Sequence, residues 1–174
     1  MSTDQELLDE VDAFDQTLGP RTRGEIHRQG LRHRAVHILV FNAHGQLFLQ
    51  KRSMSKDVNP GAWDTSAAGH VDAGEAYHAA ACREVEEELG IPAPDALEPI
   101  SQLSACEETG MEFIRVFVLR HEGPFTLHPT EIDEGGWFDP AAIDQWIAAG
   151  GGNLTRSFIL IWKRFRADLR ESSP

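Results

Sequence analysis

The strongest constraint in this 174-residue chain is the segment at residues 69–91, GHVDAGEAYHAAACREVEEELGI, because it predicts a helix with a strongly acidic face. On a helix, Glu84, Glu87 and Glu88 occupy positions i, i+3 and i+4, so their carboxylates share one face. Like charges at that spacing destabilise an isolated helix by roughly a few tenths of a kcal/mol per pair. A divalent cation such as Mg²⁺ or Mn²⁺, which takes oxygen ligands, would neutralise the cluster.

The opposite side of this predicted helix is apolar. Val85 and Leu89, together with Cys82, fall on that side and are expected to face a core. Gly90 follows the last helical residue, where a left-handed conformation ends many helices and costs glycine little. Three acids alone would favour a charged helix that only faces solvent, but the wider pattern of glycine, Glu75, arginine and acids favours a binding site.

The spacing of the fixed residues across residues 69–91 matches, at every position, the signature of the Nudix hydrolase superfamily, so the chain resembles that family. The resemblance implies an α/β/α sandwich around a mixed β-sheet, in which this segment, the Nudix box, forms a loop, a helix and a second loop. It also implies an enzyme that uses Mg²⁺ or Mn²⁺ to cleave a pyrophosphate bond in a nucleoside diphosphate linked to another group. By the same resemblance, the metal ligands are Glu84, Glu87, Glu88 and the carbonyl oxygen of Gly69, and Glu75 supports the site by orienting Arg83.

Composition is typical of an ordinary globular protein. A length of 174 residues suits one domain, and a hydrophobic content of 41% supplies enough apolar side chains for one core. There is no apolar run of about 18 residues and no amino-terminal signal sequence, so we expect a cytoplasmic protein that does not enter a membrane. A net charge of −12 argues against nucleic-acid binding. It does not argue against a phosphorylated small molecule, because bound metal supplies local positive charge.

A hairpin is the clearest unit outside the box. Its strands are predicted at residues 35–41 and 46–50, joined by a turn that ends in Gly45. Elsewhere, apolar runs between turn residues predict further strands and helices. The further strands are predicted at residues 63–68, 100–106, 112–120 and 137–138, and the helices at residues 77–89, 139–150 and 154–169.

Three stretches are less regular. Residues 6–18 fit either a strand and turn or one helical turn, broken by Gly19 and Pro20. Residues 21–29 are interpreted as a connection toward the main sheet. After the box, prolines predict a linker that runs over the surface, because proline cannot continue a helix. These prolines are Pro92, Pro94 and Pro99.

We interpret residues 1–174 as a single Nudix domain. Residues 1–34 are an amino-terminal extension that packs on it, residues 35–140 form its core, and residues 141–174 form carboxy-terminal helices. The last helix carries an apolar stripe that is expected to serve either the core or a homodimer interface. The stripe consists of Phe158, Ile161, Trp162 and Phe165.

From about residue 6 to residue 140, the chain is similar to the branch of the Nudix family that contains isopentenyl diphosphate isomerase. The phrases FNAHGQLFLQKRSMSK and PGAWDTSAAGH carry this resemblance. Two interpretations of the matching histidines remain open: a second or vestigial metal site, or purely structural residues. In the isomerases the metal site uses three histidines and a glutamate, which the resemblance maps to His27, His33, His70 and Glu131.

Two departures from the isomerases favour a hydrolase. The isomerases protonate their substrate with a cysteine at the position of Ala68, and alanine carries no such proton. The isomerases also lack some of the box acids, whereas all of them are present here. Attack of water on phosphorus needs these acids. An isomerase-like enzyme and a non-catalytic nucleotide-binding module remain the alternatives, although such modules usually lose box acids.

The expected hydrolysis needs a general base and groups that hold phosphates. Arg52 and Lys56 follow a predicted core strand and are expected either to contact the distal phosphate or to be ordinary surface charges. Specificity in the family lies in loops outside the box, so the substrate stays open among nucleoside di- and triphosphates and related compounds. The candidates for the base are Glu84 and Glu88 in the box and Glu131 and Glu134 in a later loop.

Overall fold

The computed structural model describes residues 3–92 and 96–171, which contain nine strands and four α-helices. Within these ranges, no helix is both long enough and apolar enough to cross a membrane. The strands are β1 (Leu7–Val11), β2 (Thr17–Thr22), β3 (His33–Phe41), β4 (Leu47–Arg52), β5 (Trp63–Asp64), β6 (Ala67–His70), β7 (Glu98–Leu103), β8 (Glu112–Arg120) and β9 (Ile132–Phe138). The helices are α1 (Arg23–Gln29), α2 (Tyr77–Leu89), α3 (Pro140–Ala148) and α4 (Arg156–Glu171).

One mixed sheet of seven strands forms the centre of the structure. Strands β5, β4, β3, β8 and β7 are neighbours in that order, while β6 pairs with β3 and β9 pairs with β4. β3 and β8 run parallel, and the other pairs in this sheet are antiparallel. Helix α2 covers one face of the sheet, and α3 and α4 cover the other. The α/β/α sandwich predicted from the sequence is therefore confirmed.

Each face of the sheet has its own apolar core. Because alternate residues of a strand point to opposite faces, Val36 and Ile38 of β3 pack on the α2 side, whereas Ala35 and Leu39 pack on the side of α3 and α4. The apolar stripe of α4 is used by this second core, which removes the main reason to assign it to a subunit interface. Its buried members are Phe158, Ile161 and Trp162, with Phe165 packed against them.

The amino-terminal hairpin follows one of the two predictions made for it. Residues 6–18 contain β1 and the start of β2, so the strand and turn are confirmed and the helical turn is wrong. Gly19 and Pro20 do not break the structure, because they lie inside β2 and pair with Glu10 and Asp9 of β1. Proline fits at such a place because β2 is an edge strand of a two-stranded sheet.

Helix α1 occupies the stretch that we predicted to be a connection, so that prediction is wrong. The Thr22 hydroxyl accepts a hydrogen bond from the Glu25 N–H, and the Glu25 carboxylate accepts one from the Thr22 N–H. This reciprocal capping box stabilises the first turn of a helix. The Thr-x-x-Glu pattern was present in the sequence and could have identified α1.

Other element boundaries are partly corrected. Helix α2 has the predicted bounds, and Gly90 ends it with a φ of +70°. The strand predicted at residues 63–68 is split into β5 and β6, because the chain there crosses from a pairing with β4 to a pairing with β3. Strand β9 begins at Ile132, earlier than predicted. Pro99 lies within the edge strand β7 rather than in a linker, and Pro94 lies outside the described residues.

Candidate metal and phosphate site

Gly69 lets strand β6 lie directly against the box helix. Gly69 pairs with Val36 of β3 and shares its face of the sheet, which is the face that α2 covers. A Cβ atom at residue 69 would overlap the carboxyl group of Glu84. Gly69 is not among the residues with positive φ, so close approach, not an unusual backbone conformation, explains the glycine.

Arg83 connects the acidic groups around the box helix. Its Nε and Nη2 donate to the two carboxylate oxygens of Glu75 at 3.1 and 2.9 Å. Its Nη1 donates to Glu84 at 2.6 Å and to Glu87 at 3.4 Å. Nη2 also donates to the carbonyl oxygen of His70 at 3.0 Å, which ties the helix to β6. The contact between Glu75 and Arg83 is the geometry that an orienting role requires.

The three box acids differ in exposure. Glu84 and Glu88 are buried, whereas the Glu87 side chain is 57% exposed. Glu88 Oε2 accepts hydrogen bonds from Gln50 Nε2 and from the Ala68 N–H, each at 3.0 Å. Neither donor was identified from the sequence, because both come from strands outside the box helix. These bonds fix the position of the Glu88 carboxylate beside β4 and β6.

Burial raises the pKa of both buried glutamates. For Glu84, contact with Arg83 opposes the rise, and for Glu88 the negative charge of Glu84 adds to it. Two buried carboxylates one helical turn apart are costly to ionise together unless a cation compensates them. The donors are oxygens, with the backbone of Gly69 against Glu84. This set fits a hard divalent cation such as Mg²⁺ or Mn²⁺.

Arg52 lies on the face of β4 that points to the box. Side chains two residues apart on a strand share a face, and Gln50 contacts Glu88 from that face. Arg52 Nε donates to the carbonyl oxygen of Val58 at 3.1 Å, and its Nη1 lies 3.7 Å from Asp64 Oδ2. Two protein contacts therefore hold the guanidinium group on the same side of β4 as Gln50. Asp64 was not identified from the sequence.

The two loop acids lie in different environments. Glu131 forms a hydrogen-bonded ion pair with Lys56. The His128 N–H donates to the carbonyl oxygen of Glu88 at 3.0 Å, and the Glu131 N–H donates to that of His128 at 3.1 Å, so the loop that carries Glu131 is tied to the end of the box helix. Glu134 lies 3.5 Å from Lys51 Nζ, and its side chain is 59% exposed. Of the two, Glu131 is the acid with access to the box.

A second cluster consists of the three histidines singled out from the sequence. One ring nitrogen from each of His27, His33 and His70 lies within 4.8 Å of the other two. His33 Nδ1 lies 3.0 Å from the carbonyl oxygen of Leu31 and must donate its proton there. In that tautomer His33 Nε2 carries a lone pair, and it is buried with no hydrogen-bond partner among the described residues. A buried lone pair aimed into a histidine cluster is what a metal ligand needs.

Glu112, and not Glu131, is the carboxylate beside these histidines, which corrects the mapping made from the isomerases. Glu112 Oε1 lies 3.6 Å from His33 Nε2 and 3.4 Å from His70 Nε2. Burial alone would raise the pKa of Glu112, but the neighbouring His33 and His70 rings hold it well below the usual value. Burial, with a contribution from His70, lowers the pKa of His27 to about 4. His27 is thus neutral at pH 7 with a lone pair available, and three imidazoles with one carboxylate fit a transition metal.

The fold is an α/β/α sandwich in which an acidic helix packs against a strand that contains a glycine. Together these features define a class of hydrolases whose site is built on that helix. A family model for the NUDIX domain matches residues 31–158, and the chain belongs to the Nudix family. Named Nudix hydrolases among its relatives support the predicted enzyme class, a Nudix pyrophosphohydrolase.

Relatives of both predicted kinds are found. A Yersinia pestis protein described as an uncharacterized Nudix hydrolase is 39% identical over 138 residues, which are 79% of this chain and 75% of the relative. An isopentenyl-diphosphate Delta-isomerase from Serratia proteamaculans is 32% identical over 171 residues, covering 95% of this chain and 94% of the relative. The crystal structure of DR0079 from Deinococcus radiodurans has a TM-score of 0.81 at 33% identity, covering 91% of this chain and 98% of that chain. The branch predicted from the sequence is confirmed.

Proposed function

We propose that this protein is a hydrolase, dependent on Mg²⁺ or Mn²⁺, that cleaves a pyrophosphate bond in a nucleoside di- or triphosphate or in a nucleoside diphosphate linked to another group. The main support for the proposal is the buried pair of carboxylates of Glu84 and Glu88, with the Gly69 backbone packed closely against Glu84. A bound divalent ion would supply Lewis acidity, polarising phosphorus and stabilising charge on the leaving phosphate.

The side chains of the box would hold the ion. Glu84 and Glu88 would be ligands, Glu87 a ligand from the exposed end of the cluster, and the Gly69 carbonyl a further oxygen donor. Arg83 would keep Glu84 in place, because it bonds Glu84 at 2.6 Å while it is itself held by Glu75. The same contacts would stop the ligands from turning into solvent.

Arg52 and Lys56 would bind the phosphates that the metal does not neutralise. Arg52 is held at the box face, and an arginine fork suits phosphate oxygens. Lys56 is paired with Glu131, so a phosphate that attracts Lys56 would release the Glu131 carboxylate. A released carboxylate beside the box can accept the proton of attacking water, which favours Glu131 over Glu134 as the loop base. Glu84 and Glu88 remain base candidates within the box.

Two alternative functions, an isomerase-like enzyme and a non-catalytic nucleotide-binding module, have less support. The Serratia isomerase relative and the histidine cluster favour an isomerase-like enzyme. Against it, Ala68 presents only a methyl group where an isomerase needs a proton donor. A non-catalytic module would not need Glu84, Glu87 and Glu88 together, and all three are present.

We also propose that His27, His33 and His70, with Glu112, hold a second metal ion of the transition-metal class. Support comes from the buried, unpartnered His33 Nε2 and from the neutral state of His27 at pH 7. These four residues come from α1, β3, β6 and β8, so an ion there would tie the amino-terminal helix to the sheet. Its expected role is structural.

Location and partners are proposals as well. We infer a cytoplasmic enzyme, and the net charge of −12 argues against a nucleic-acid or anionic membrane partner. A homodimer would have to use a surface other than the α4 stripe, which the core already buries. Phe14 and Leu18 of the β1–β2 hairpin, 82% and 63% exposed, are two of the exposed apolar side chains that such a surface could use.

The function is tested by measuring phosphate release with Mg²⁺ and with Mn²⁺ across a substrate panel. The panel contains nucleoside di- and triphosphates, nucleotide sugars, ADP-ribose, dinucleoside polyphosphates and isopentenyl diphosphate. We expect hydrolysis of at least one nucleotide that depends on the metal and is lost with EDTA. Formation of the allylic isomer from isopentenyl diphosphate without phosphate release would overturn the proposal in favour of the isomerase.

A further inference from the structure

A row of polar side chains is buried between strands β3 and β4. These two strands pair only at Val40 with Phe48 and at Phe41 with Leu47, and beyond that point they separate. The chain between β5 and β6 crosses the gap. Polar groups in such a position are costly unless they bond one another. The buried polar residues there are His37, Asp64, Thr65 and Ser66, each at most 5% exposed.

Residues of this row contact one carboxylate oxygen of Asp64, namely Oδ1. His37 Nδ1 lies 2.8 Å from Thr65 Oγ1, and the Thr65 N–H donates to Asp64 Oδ1 at 2.8 Å. His37 Nδ1 also lies 3.9 Å from Asp64 Oδ1. These contacts fix one carboxylate oxygen of Asp64 and leave Oδ2 directed at Arg52, whose Nη1 is 3.7 Å away.

Arg52 connects this row of buried polar residues to the side of β4 that faces the box, because it pairs with Asp64. Its Nε–H donates to the Val58 carbonyl oxygen, and its Nη1 lies 3.7 Å from Asp64 Oδ2 as an ion pair, so the other N–H donors of the guanidinium can take phosphate oxygens while both contacts persist. Lys56 differs, because its ammonium group is already paired with Glu131 at a partly exposed position. On anion binding, Arg52 would therefore keep its protein partner, whereas Lys56 would exchange its partner.

We propose that Asp64 is a positioning residue that sets the Arg52 guanidinium for phosphate binding, and that His37 and Thr65 hold Asp64 for this purpose. The inference rests on the proposed function in one respect, namely that the anion at the box is a pyrophosphate group. A fixed guanidinium binds more tightly than a mobile one because less side-chain entropy is lost on binding. The row thus affects substrate binding and not the chemical step.

The test is a double-mutant cycle between Asp64→Asn and Arg52→Gln. The probe is imidodiphosphate with saturating Mg²⁺, and its Kd is measured by calorimetry, so the result does not depend on turnover. Each single variant should raise Kd about tenfold, because each removes or releases a charged donor. The double variant should bind no more weakly than Arg52→Gln alone, because Asp64 acts through Arg52.

Matched measurements separate positioning from general damage. Asp12→Asn should leave Kd unchanged, because Asp12 is partly exposed and its side chain bonds within the β1–β2 turn. If Asp64→Asn does not fold, Thr65→Val carries the test, since it removes the hydroxyl at His37 and should raise Kd only while Arg52 is present. With a hydrolysed substrate, Asp64→Asn should raise KM about tenfold and change kcat less than about threefold.

Two results would overturn the positioning role. One is an unchanged Kd in Asp64→Asn, and the other is a double variant in which the two losses multiply. A parent chain that binds imidodiphosphate but hydrolyses no substrate contradicts the proposed function alone, and the cycle still decides the role of Asp64.

Discussion

Gly69 and the carboxyl group of Glu84 are in such close contact that a single added methyl group at residue 69 would overlap it. Alanine usually stabilises a strand relative to glycine by about 0.5–1 kcal/mol. In Gly69→Ala we expect the opposite, a loss of about 1–3 kcal/mol of unfolding free energy, because Glu84 is buried and fixed by Arg83. Displacing Glu84 should also raise the Mg²⁺ concentration needed for half-maximal hydrolysis.

Gly152→Ala is the control for this prediction, since a Cβ there meets nothing within 4 Å and the residue has no positive φ. Urea unfolding and a Mg²⁺ activation curve measure both variants. A Gly69→Ala variant as stable and as active as Gly152→Ala would mean that Glu84 does not need its observed position.

The stability of the metal-free protein should depend on pH through the buried glutamates. In the folded chain the pKa values of Glu84 and Glu88 are raised by burial above the ordinary value of 4.5. Above pH 4.5, therefore, the folded chain holds more protons than the unfolded chain. Linkage then requires the contribution of these two groups to the unfolding free energy to fall as pH rises from 4.5 through the raised pKa values.

Urea unfolding in EDTA between about pH 6.5 and about pH 8 measures this slope. At lower pH the lowered pKa of His27 gives the opposite dependence. Saturating Mg²⁺ should reduce the slope, because the ion stabilises the ionised carboxylates. Glu88→Gln should reduce it without metal. If metal-free stability increased with pH across this range, the two carboxylates would not be buried as described.

Local spacing explains why the box helix was predictable and its surroundings were not. The positions of Glu84 and Glu88 on one face follow from helical periodicity alone, and the α2 bounds agree with the prediction. Gln50 reaches Glu88 across 38 residues of sequence, and no local pattern marks that pairing. Glu112 meets the histidines because β8 runs parallel to β3 in one particular register. Contacts of this kind depend on tertiary structure.

The two loop acids can be separated as candidate bases. Glu131 lies near the box in a pair with Lys56, whereas Glu134 is 59% exposed at the Lys51 pair. We expect Glu131→Gln to lower kcat by about 10²–10⁴-fold with little change in stability. The matched change Glu134→Gln should stay within about threefold of the parent in steady-state hydrolysis. Equal activity in both variants would show that neither loop acid is the general base, and would leave Glu84 and Glu88 of the box as the candidates.

The histidine cluster predicts bound transition metal. His27 is the most accessible member, so His27→Ala removes one ligand with little disturbance of the core. Bound zinc, measured by elemental analysis after dialysis against trace Zn²⁺, should fall from about one per chain to near zero. Thermal stability should fall with it. The control is His44→Ala in the exposed hairpin turn. If the parent protein retained no zinc, the result would show that the three histidines are structural residues and not metal ligands.

Binding of Mg²⁺ by the acidic helix is the central claim, and calorimetry with imidodiphosphate present measures it most directly. Mg²⁺ prefers oxygen ligands, so the histidine cluster does not interfere. Glu88→Gln should weaken Mg²⁺ binding at least about tenfold and lower hydrolysis by orders of magnitude, while Glu86→Gln, on an exposed position of the same helix, should match the parent. Equal Mg²⁺ affinity and turnover in Glu88→Gln and the parent would contradict the account.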